Sequence, residues 1–416
     1  MTVLKVLILK SIVKALNLVR PGSGTALPGL LAEKYAPELF GMFASQLEQV
    51  ILITGTNGKT TTRNLLSKIL SEGNVKHFSN KEGSNMKRGL ISTFLKEANF
   101  FGKLKTKNVI LEIEEATLPL IIESLKPKML IVTNLFRDQL DAYGEVNKTQ
   151  EYIKEAISKT PNCNLILNAD DPLVRELAKS TSKENVTFYS IEKSSRDKFN
   201  YEGDESLLEP IKEAIVAQKI EITDELHTKF QINLINYELR IPGVFHVYNS
   251  MAAILAAKSI GLSQKVIQDA FANFEPAFGR GEQLGRYKIV LIKNPAGFSL
   301  TLDMLKNVES PNILLILNDR IADGRDVSWI WDAEVEKLFE VGPSKIFVSG
   351  TRADDIALRV KYSQKLAVNE QNIFIEKDLK KMVEIISTEL VGEENVFVLP
   401  TYTAMNEFRK VLGKKF

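Results

Sequence analysis

Short apolar runs alternate with amphipathic stretches along most of this chain. Residues 50–54, Val-Ile-Leu-Ile-Thr, put apolar or β-branched side chains at consecutive positions. A strand of that kind is covered on both faces and belongs inside a parallel sheet. Residues 109–113, 129–132 and 165–167 repeat the type. Between them, residues 60–70 carry Leu65, Leu66, Ile69 and Leu70 on one helical face, and residues 148–158 are amphipathic. Such alternation predicts an α/β domain with a mainly parallel sheet. Two helices follow, an alanine-rich one over 248–259 and another over 263–273. Apolar runs at 289–292, 313–317, 345–348 and 396–399 then predict a second, smaller α/β domain.

The stretch 187–240 breaks the rhythm. Residues 189–205 are polar and charged, and 229–241 reads as short antiparallel strands. We expect an insertion or subdomain at the edge of the sheet. The expected organisation is an N-terminal helix and lead-in over 1–40, a central domain over 41–282 that contains this insertion, and a C-terminal domain over 283–416.

Composition narrows the class. In 416 residues, 44 % are hydrophobic and 25 % charged, the balance of a globular protein too long for one core. The formal charge of +2 gives no reason to expect nucleic acid as a partner. No apolar run approaches the roughly 20 residues that span a bilayer. Near the start, Val3, Leu4, Leu7, Ile8, Ile12, Val13 and Leu16 recur at helical spacing among Lys5, Lys10 and Lys14. That helix is read as docked on its own domain, with an anionic membrane surface as the alternative. A single cysteine, Cys163, excludes internal disulfides and fits a reducing cytoplasm, so the expected place is the cytoplasm or the inner face of the membrane.

The chemistry begins at Gly55-Thr56-Asn57-Gly58-Lys59-Thr60-Thr61, between a strand and a helix. Backbone N–H groups and the helix dipole point partial positive charge at an anion there. Lys59 is placed to reach terminal phosphates, and the Thr60 hydroxyl to bind magnesium. Ile53 stands where the general phosphate loop has its first glycine, so this is a shorter variety.

That loop resembles the signature of the Mur ligase family, which includes folylpolyglutamate synthetase. The resemblance implies ATP-driven phosphorylation of a carboxylate and attack of an amine on the acyl phosphate. Glu112, at a strand's end, is similar to the family's magnesium-binding glutamate, with Glu114 and Glu115 beside it as alternatives. Residues 133–141, Thr-Asn-Leu-Phe-Arg-Asp-Gln-Leu-Asp, resemble a family segment in which Gln139 stands where a histidine touches a second magnesium. Lys154 is a candidate for the carbamylated lysine of many members, or an ordinary solvated lysine. Asn249 resembles the asparagine that meets adenine, and Arg280 the arginine that contacts nucleotide at the domain junction, a structural salt bridge being its competitor.

Other stretches point to one branch. Residues 24–29, 83–89, 318–332, 349–355 and 399–405 look like the MurT-like members, subunits of lipid II isoglutaminyl synthases. This implies amidation of the D-glutamate α-carboxyl of the lipid II stem peptide to D-isoglutamine through an acyl phosphate, with ATP and Mg2+. A glutaminase needs a reactive thiolate and a histidine base. Cys163 has no such context, so ammonia is expected from a separate GatD-like glutaminase in a heterodimer. The resemblance implies that an aspartate of this chain orients the partner's catalytic histidine. Asp326 is the first candidate and Asp332 the second, with Trp329 and Trp331 as anchors of the contact. Many members of the branch carry a four-cysteine zinc ribbon; residues 187–240 have no cysteine, so no zinc is expected. The alternatives are an amino-acid-adding Mur ligase, a folylpolyglutamate synthetase, or a nucleotide-binding scaffold without catalysis.

Overall fold

The computed structural model describes residues 5–11, 27–80, 83–136, 146–197, 199, 201, 209–223, 227–275, 280–363, 372–390, 392 and 394–413. Two sheets organise them. The first is built from β1 (Gln49–Thr54), β2 (Phe78–Ser79), β3 (Asn108–Glu112), β4 (Met129–Val132), β5 (Asn164–Asn168), β6 (Val186–Ile191), β7 (Ile215–Ile222), β8 (Thr228–Ile232) and β9 (Ile235–Leu239). Their spatial order is β2-β3-β1-β4-β5-β6-β7-β8-β9. The pairs from β2 through β7 are parallel, and β8 and β9 join antiparallel.

Alternate residues of β1 feed two cores. Val50 and Leu52 point into one, beneath helices α1 (Leu27–Tyr35) and α3 (Lys87–Glu97). Ile51 and Ile53 point into the other, beneath α2 (Lys59–Glu72), α4 (Phe245–Ser259) and α5 (Gln264–Ala272). α4 is buried almost all round, and its small alanines let it lie close along α2. The parallel α/β architecture expected from the alternating pattern is therefore present.

The stretch 187–240 forms the far edge of the sheet, where β7, β8 and β9 end the strand order and β8 and β9 are the short antiparallel strands expected there. Thr187 lies within β6, which pairs with β5, and fully buried Tyr189 anchors the strand in the second core. The N-terminal helix, in its described residues 5–11, packs on this domain as expected, with Val6 and Leu9, and Ala32 of the lead-in, buried in the first core.

The second sheet comprises β10 (Arg280–Leu284), β11 (Tyr287–Val290), β12 (Asn312–Ile316), β13 (Lys345–Ser349), β14 (Ile373–Ile375) and β15 (Val396–Pro400). Its order is β10-β11-β15-β12-β13-β14, parallel except for the β10–β11 hairpin. Helix α6 (Pro295–Leu305) opens with Asn294 as its cap, the side chain accepting from Gly297 N at 2.8 Å, and Pro295 in the first turn. Ala296 and Leu300 of α6 reach back to the first sheet's second core.

Candidate active site

The phosphate loop leaves the end of β1 and enters α2. Gly55 has φ +120°, and a side chain there would collide with the Thr133 hydroxyl and the Asn134 backbone. Gly58 has φ +86°, and a Cβ would strike the amide of Asn249. Only glycine tolerates both demands. The segment after β4 braces the loop: Thr56 N donates to Asn134 O at 2.8 Å, Asn57 N to Asn134 Oδ1 at 2.9 Å, and Thr133 Oγ1 to Asn57 O at 2.7 Å.

Around the loop lies a buried cluster of charge. Lys59, 7 % exposed, donates from Nζ to Glu115 Oε1 at 2.9 Å and to the Gly55 and Thr56 carbonyls. Thr60 Oγ1 donates to Glu112 Oε2 at 2.9 Å, and Arg63 braces the same carboxylate at 3.3 Å. Glu115 also accepts from Gly55 N at 2.9 Å. Thr61 Oγ1 is buried without a hydrogen-bond partner, an orphan hydroxyl on the first turn of α2.

The carboxylates and the lysine set one another's protonation. Burial pulls the Lys59 ammonium toward neutrality, but Glu115, Glu114 and Glu112 outweigh it and hold its pKa above the usual lysine range. Burial raises Glu115 too, yet Lys59 and a hydrogen bond from Glu114 prevail, so its pKa falls below the usual carboxylate value. For Glu114 burial wins, with Glu115's charge adding, and its pKa is pushed up to about 7. Below about pH 7 a proton thus resides on Glu114 beside an ionised Glu115. Asn85 Nδ2 steadies Glu114 Oε2 at 2.7 Å.

Two adjoining cavities meet at the loop. One of about 310 Å3 is lined by Lys59, Thr60, Glu112 and Glu114 from the first sheet and by Lys293, Asp323 and Thr401 from the second. Another of about 90 Å3 runs past Asn57 and Gly58 to Asn249, His246 and an aromatic wall. In that wall Phe136 stacks on Tyr201 at 5.1 Å, and Tyr201 on Phe199 at 5.8 Å. Tyr248 stands edge-on to Phe199 and donates to Asp170 Oδ2 at 2.9 Å.

The sequence candidates fall into three groups. Gly55 to Thr61, Glu112 and Asn249 come together around the loop. Asp326 and Asp332 are exposed on the second sheet's 318–332 segment and line neither cavity. The Ser328 hydroxyl, together with Ser328 N donating to Oδ1 at 2.8 Å, lowers the Asp326 pKa. Lys154 bonds Gln150 Oε1 at 2.7 Å and lies 3.7 Å from Glu176, also outside both cavities. Gln139 and the side chain of Arg280 lie outside the described residues; the Arg280 backbone begins β10. Trp329 packs edge-on to Phe298, while Trp331 is half exposed beneath Arg359. Cys163 is buried, and burial pushes its thiol up to about 12.

Sequence reading missed Asn294, Arg63 and the aromatic wall as a unit, although Asn134 and Phe136 lie in the 133–141 segment it singled out. Asn294 also carried a local signal, since Asn-Pro before an apolar-periodic run marks a helix start.

Comparison with known proteins bears on the same residues. The Mur ligase middle domain family matches residues 53–257, and the MurT ligase C-terminal family matches 291–405. The chain is 30 % identical to the lipid II isoglutaminyl synthase (glutamine-hydrolyzing) subunit MurT of Staphylococcus aureus (strain COL), over 94 % of each chain. The MurT subunit of Streptococcus pneumoniae (strain ATCC BAA-255 / R6) is also 30 % identical, over 96 % of this chain and 94 % of its own. Among solved structures, the MurF ligase from Thermotoga maritima in complex with ADP aligns with a TM-score of 0.64 and 15 % identity, covering 91 % of this chain and 84 % of that one. That level of identity speaks for the fold alone.

Proposed function

This chain belongs to the Mur ligase family, in its MurT branch, and from that premise we propose that it is the ligase subunit of a lipid II isoglutaminyl synthase. The observation that carries the reading is the larger cavity, where Lys59, Thr60 and Glu112 face Lys293, Asp323 and Thr401 across the two sheets. A polyphosphate on one wall and a carboxylate acceptor on the other would meet there.

The D-glutamate α-carboxylate attacks the γ-phosphorus of ATP, and the bond to ADP breaks. Ammonia then attacks the acyl carbon, inorganic phosphate departs, nitrogen loses a proton, and D-isoglutamine remains. Charge spreads over the transferred phosphoryl, so preorganised positive charge is what the protein must supply. Lys59, kept protonated by Glu115, and the amides opening α2 supply it. The orphan Thr61 hydroxyl, on the first turn of α2, is proposed as a further donor toward phosphate. Thr60 and Glu112 offer adjacent buried oxygens, the donors a magnesium ion takes, and magnesium held there would neutralise phosphate charge. Asn249 and the aromatic wall suit adenine, with Arg280 proposed to contact nucleotide at the junction of the sheets.

Ammonia is proposed to come from a GatD-like glutaminase in a heterodimer. A buried thiol with a pKa of about 12 is a poor nucleophile, which argues against Cys163 in that role. Asp326, exposed and held ionised, suits orientation of the partner's histidine, with Asp332 second. The proposed place of action is the cytoplasm. The test supplies purified chain with ATP, magnesium, lipid II and ammonium chloride. Amidated lipid II is expected, and glutamine should replace ammonia only when the partner is added. Ligation of free amino acids with inert ammonia would instead favour an amino-acid-adding ligase, and no turnover at all a scaffold.

A further inference from the structure

The helical layer over the first sheet has an outer face that the reaction above does not use. Residues 99–102 form a tight turn: Asn99 N donates to Lys103 O at 2.8 Å, and Asn99 Oδ1 accepts from Phe101 N at 2.9 Å and Lys103 N at 3.0 Å. Gly102, at φ +79°, closes it. The turn holds Phe100 and Phe101 outward, 53 % and 78 % exposed. Two adjacent phenylalanines fixed in water by a rigid turn are costly unless they meet a partner.

The N-terminal helical residues 5–11 extend this apolar tip. Val6 and Leu9 face the core, whereas Leu7 and Ile8 stay exposed. Lys10 donates to the carbonyls of Leu95 and Ala98 and lies over the Phe100 ring at 5.6 Å, so helix and turn form one surface. At the other end of the layer, Leu27, Leu30 and Met86 are also exposed. Met86 directly follows Asn85, which lines the larger cavity. The layer therefore runs from the aromatic tip to the mouth of the site.

Its charge selects the partner. Described residues 5–11, 27–48 and 83–107 hold nine basic and four acidic side chains, a surplus of five, in a chain whose total is +2. Lys96, Lys103, Lys105 and Arg88 are exposed around the apolar positions. A protein partner of ordinary composition needs no such surplus. An anionic bilayer takes both features, aromatic side chains at headgroup depth and lysines over the phosphates. We propose that this layer is a docking face for an anionic membrane surface, with Phe100 and Phe101 as its inserted tip. Its use in catalysis rests on the lipid-linked substrate proposed above; the binding itself does not.

The test is sedimentation of the full chain with vesicles of phosphatidylglycerol and phosphatidylcholine, against phosphatidylcholine alone. Binding to the anionic vesicles that weakens with salt is expected. The pair Phe100→Ser and Phe101→Ser should lower the partition coefficient at least tenfold, as should Lys103→Glu with Lys105→Glu, both with unchanged circular dichroism and ATP binding. No binding by the unaltered chain, or equal binding by all three forms, overturns the proposal. Amidation with ammonia separates the two readings. The phenylalanine variant should match the unaltered chain on a water-soluble short-chain lipid II and lag on vesicle-embedded lipid II. Binding without amidation of either substrate would defeat the functional reading and leave the membrane face standing.

Discussion

Asn57 of the phosphate loop and Asn294 of the second sheet's first helix face each other amide to amide. Asn294 Nδ2 donates to Asn57 Oδ1 at 3.0 Å, and Asn57 Nδ2 returns the contact to Asn294 Oδ1 at 3.4 Å. The same Asn294 oxygen caps α6. One side chain thus fixes a helix start and ties the two sheets together at the loop.

These duties separate by substitution. Asn294→Ser keeps a good cap but cannot span to Asn57, so thermal stability should hold within about 0.5 kcal/mol. Turnover with ATP should still drop about fivefold, the worth of one hydrogen bond of about 1 kcal/mol. Asn294→Ala should lose both, with about 1 kcal/mol less stability. Unchanged steady-state kinetics in the serine variant would show that the amide pair contributes nothing to alignment.

Glu112 and Thr60 are proposed to share magnesium. Glu112→Gln keeps the volume and an acceptor for Arg63 but removes the charge a hard cation needs. Ammonia-dependent amidation should fall on the order of 100-fold or more, with part of the loss recovered at high magnesium. A magnesium titration of initial rates checks this, and a variant with normal magnesium dependence would remove Glu112 from that role.

The proton between Glu114 and Glu115 has a pH signature. The unfolded chain releases a glutamate proton near 4.5, whereas folded Glu114 keeps its proton to about 7. Because the folded state then binds more protons, Glu114 weakens the fold as pH rises from 4.5 to 7, with its full cost present above 7. Glu115, with a lowered pKa, contributes stability that is lost as pH falls. Glu114→Gln cannot ionise and retains the Asn85 contact. Its melting temperature should match the parent at pH 5 and exceed it by roughly 1–3 °C at pH 8. A difference that stays constant with pH would count against the shared proton.

Asp326 should divide the two ammonia routes. Asp326→Asn keeps size and removes the charge that steadies a histidine tautomer. Glutamine-dependent amidation should fall on the order of 1,000-fold, while the route from ammonium chloride stays within about twofold. Parallel assays with and without the glutaminase measure this, and equal loss in both would reassign Asp326 to the ligase reaction. Asp332→Asn is the matched comparison.

Much of the site was legible because its causes are local. Gly55 and Gly58 sit where the backbone turns left-handed against neighbours, and Lys59 and Thr60 follow in the first helical turn. Runs of β-branched residues announced the parallel strands, since covered strands need no alternation. Over 187–240 that signal is weaker. There polar residues surround β6, and its membership of the sheet depends on Tyr189 and Ile191 reaching a core built by α4.

Local pattern by itself determined the glycine turn between β1 and α2, the parallel α/β class and the lack of cysteines for a thiolate zinc ribbon, because each follows from residue type and spacing over a few positions. Tertiary structure alone decided the rest. Asn57 meets a residue 237 positions away, and Lys59 lies in the grip of Glu115 rather than of Glu112. The aromatic wall gathers Phe136 from the segment after β4, Phe199 and Tyr201 from between β6 and β7, and Tyr248 from α4. Periodicity reports which face of an element is buried. Which distant element covers that face, and which side chains it carries there, is set by packing between segments that share no local signal.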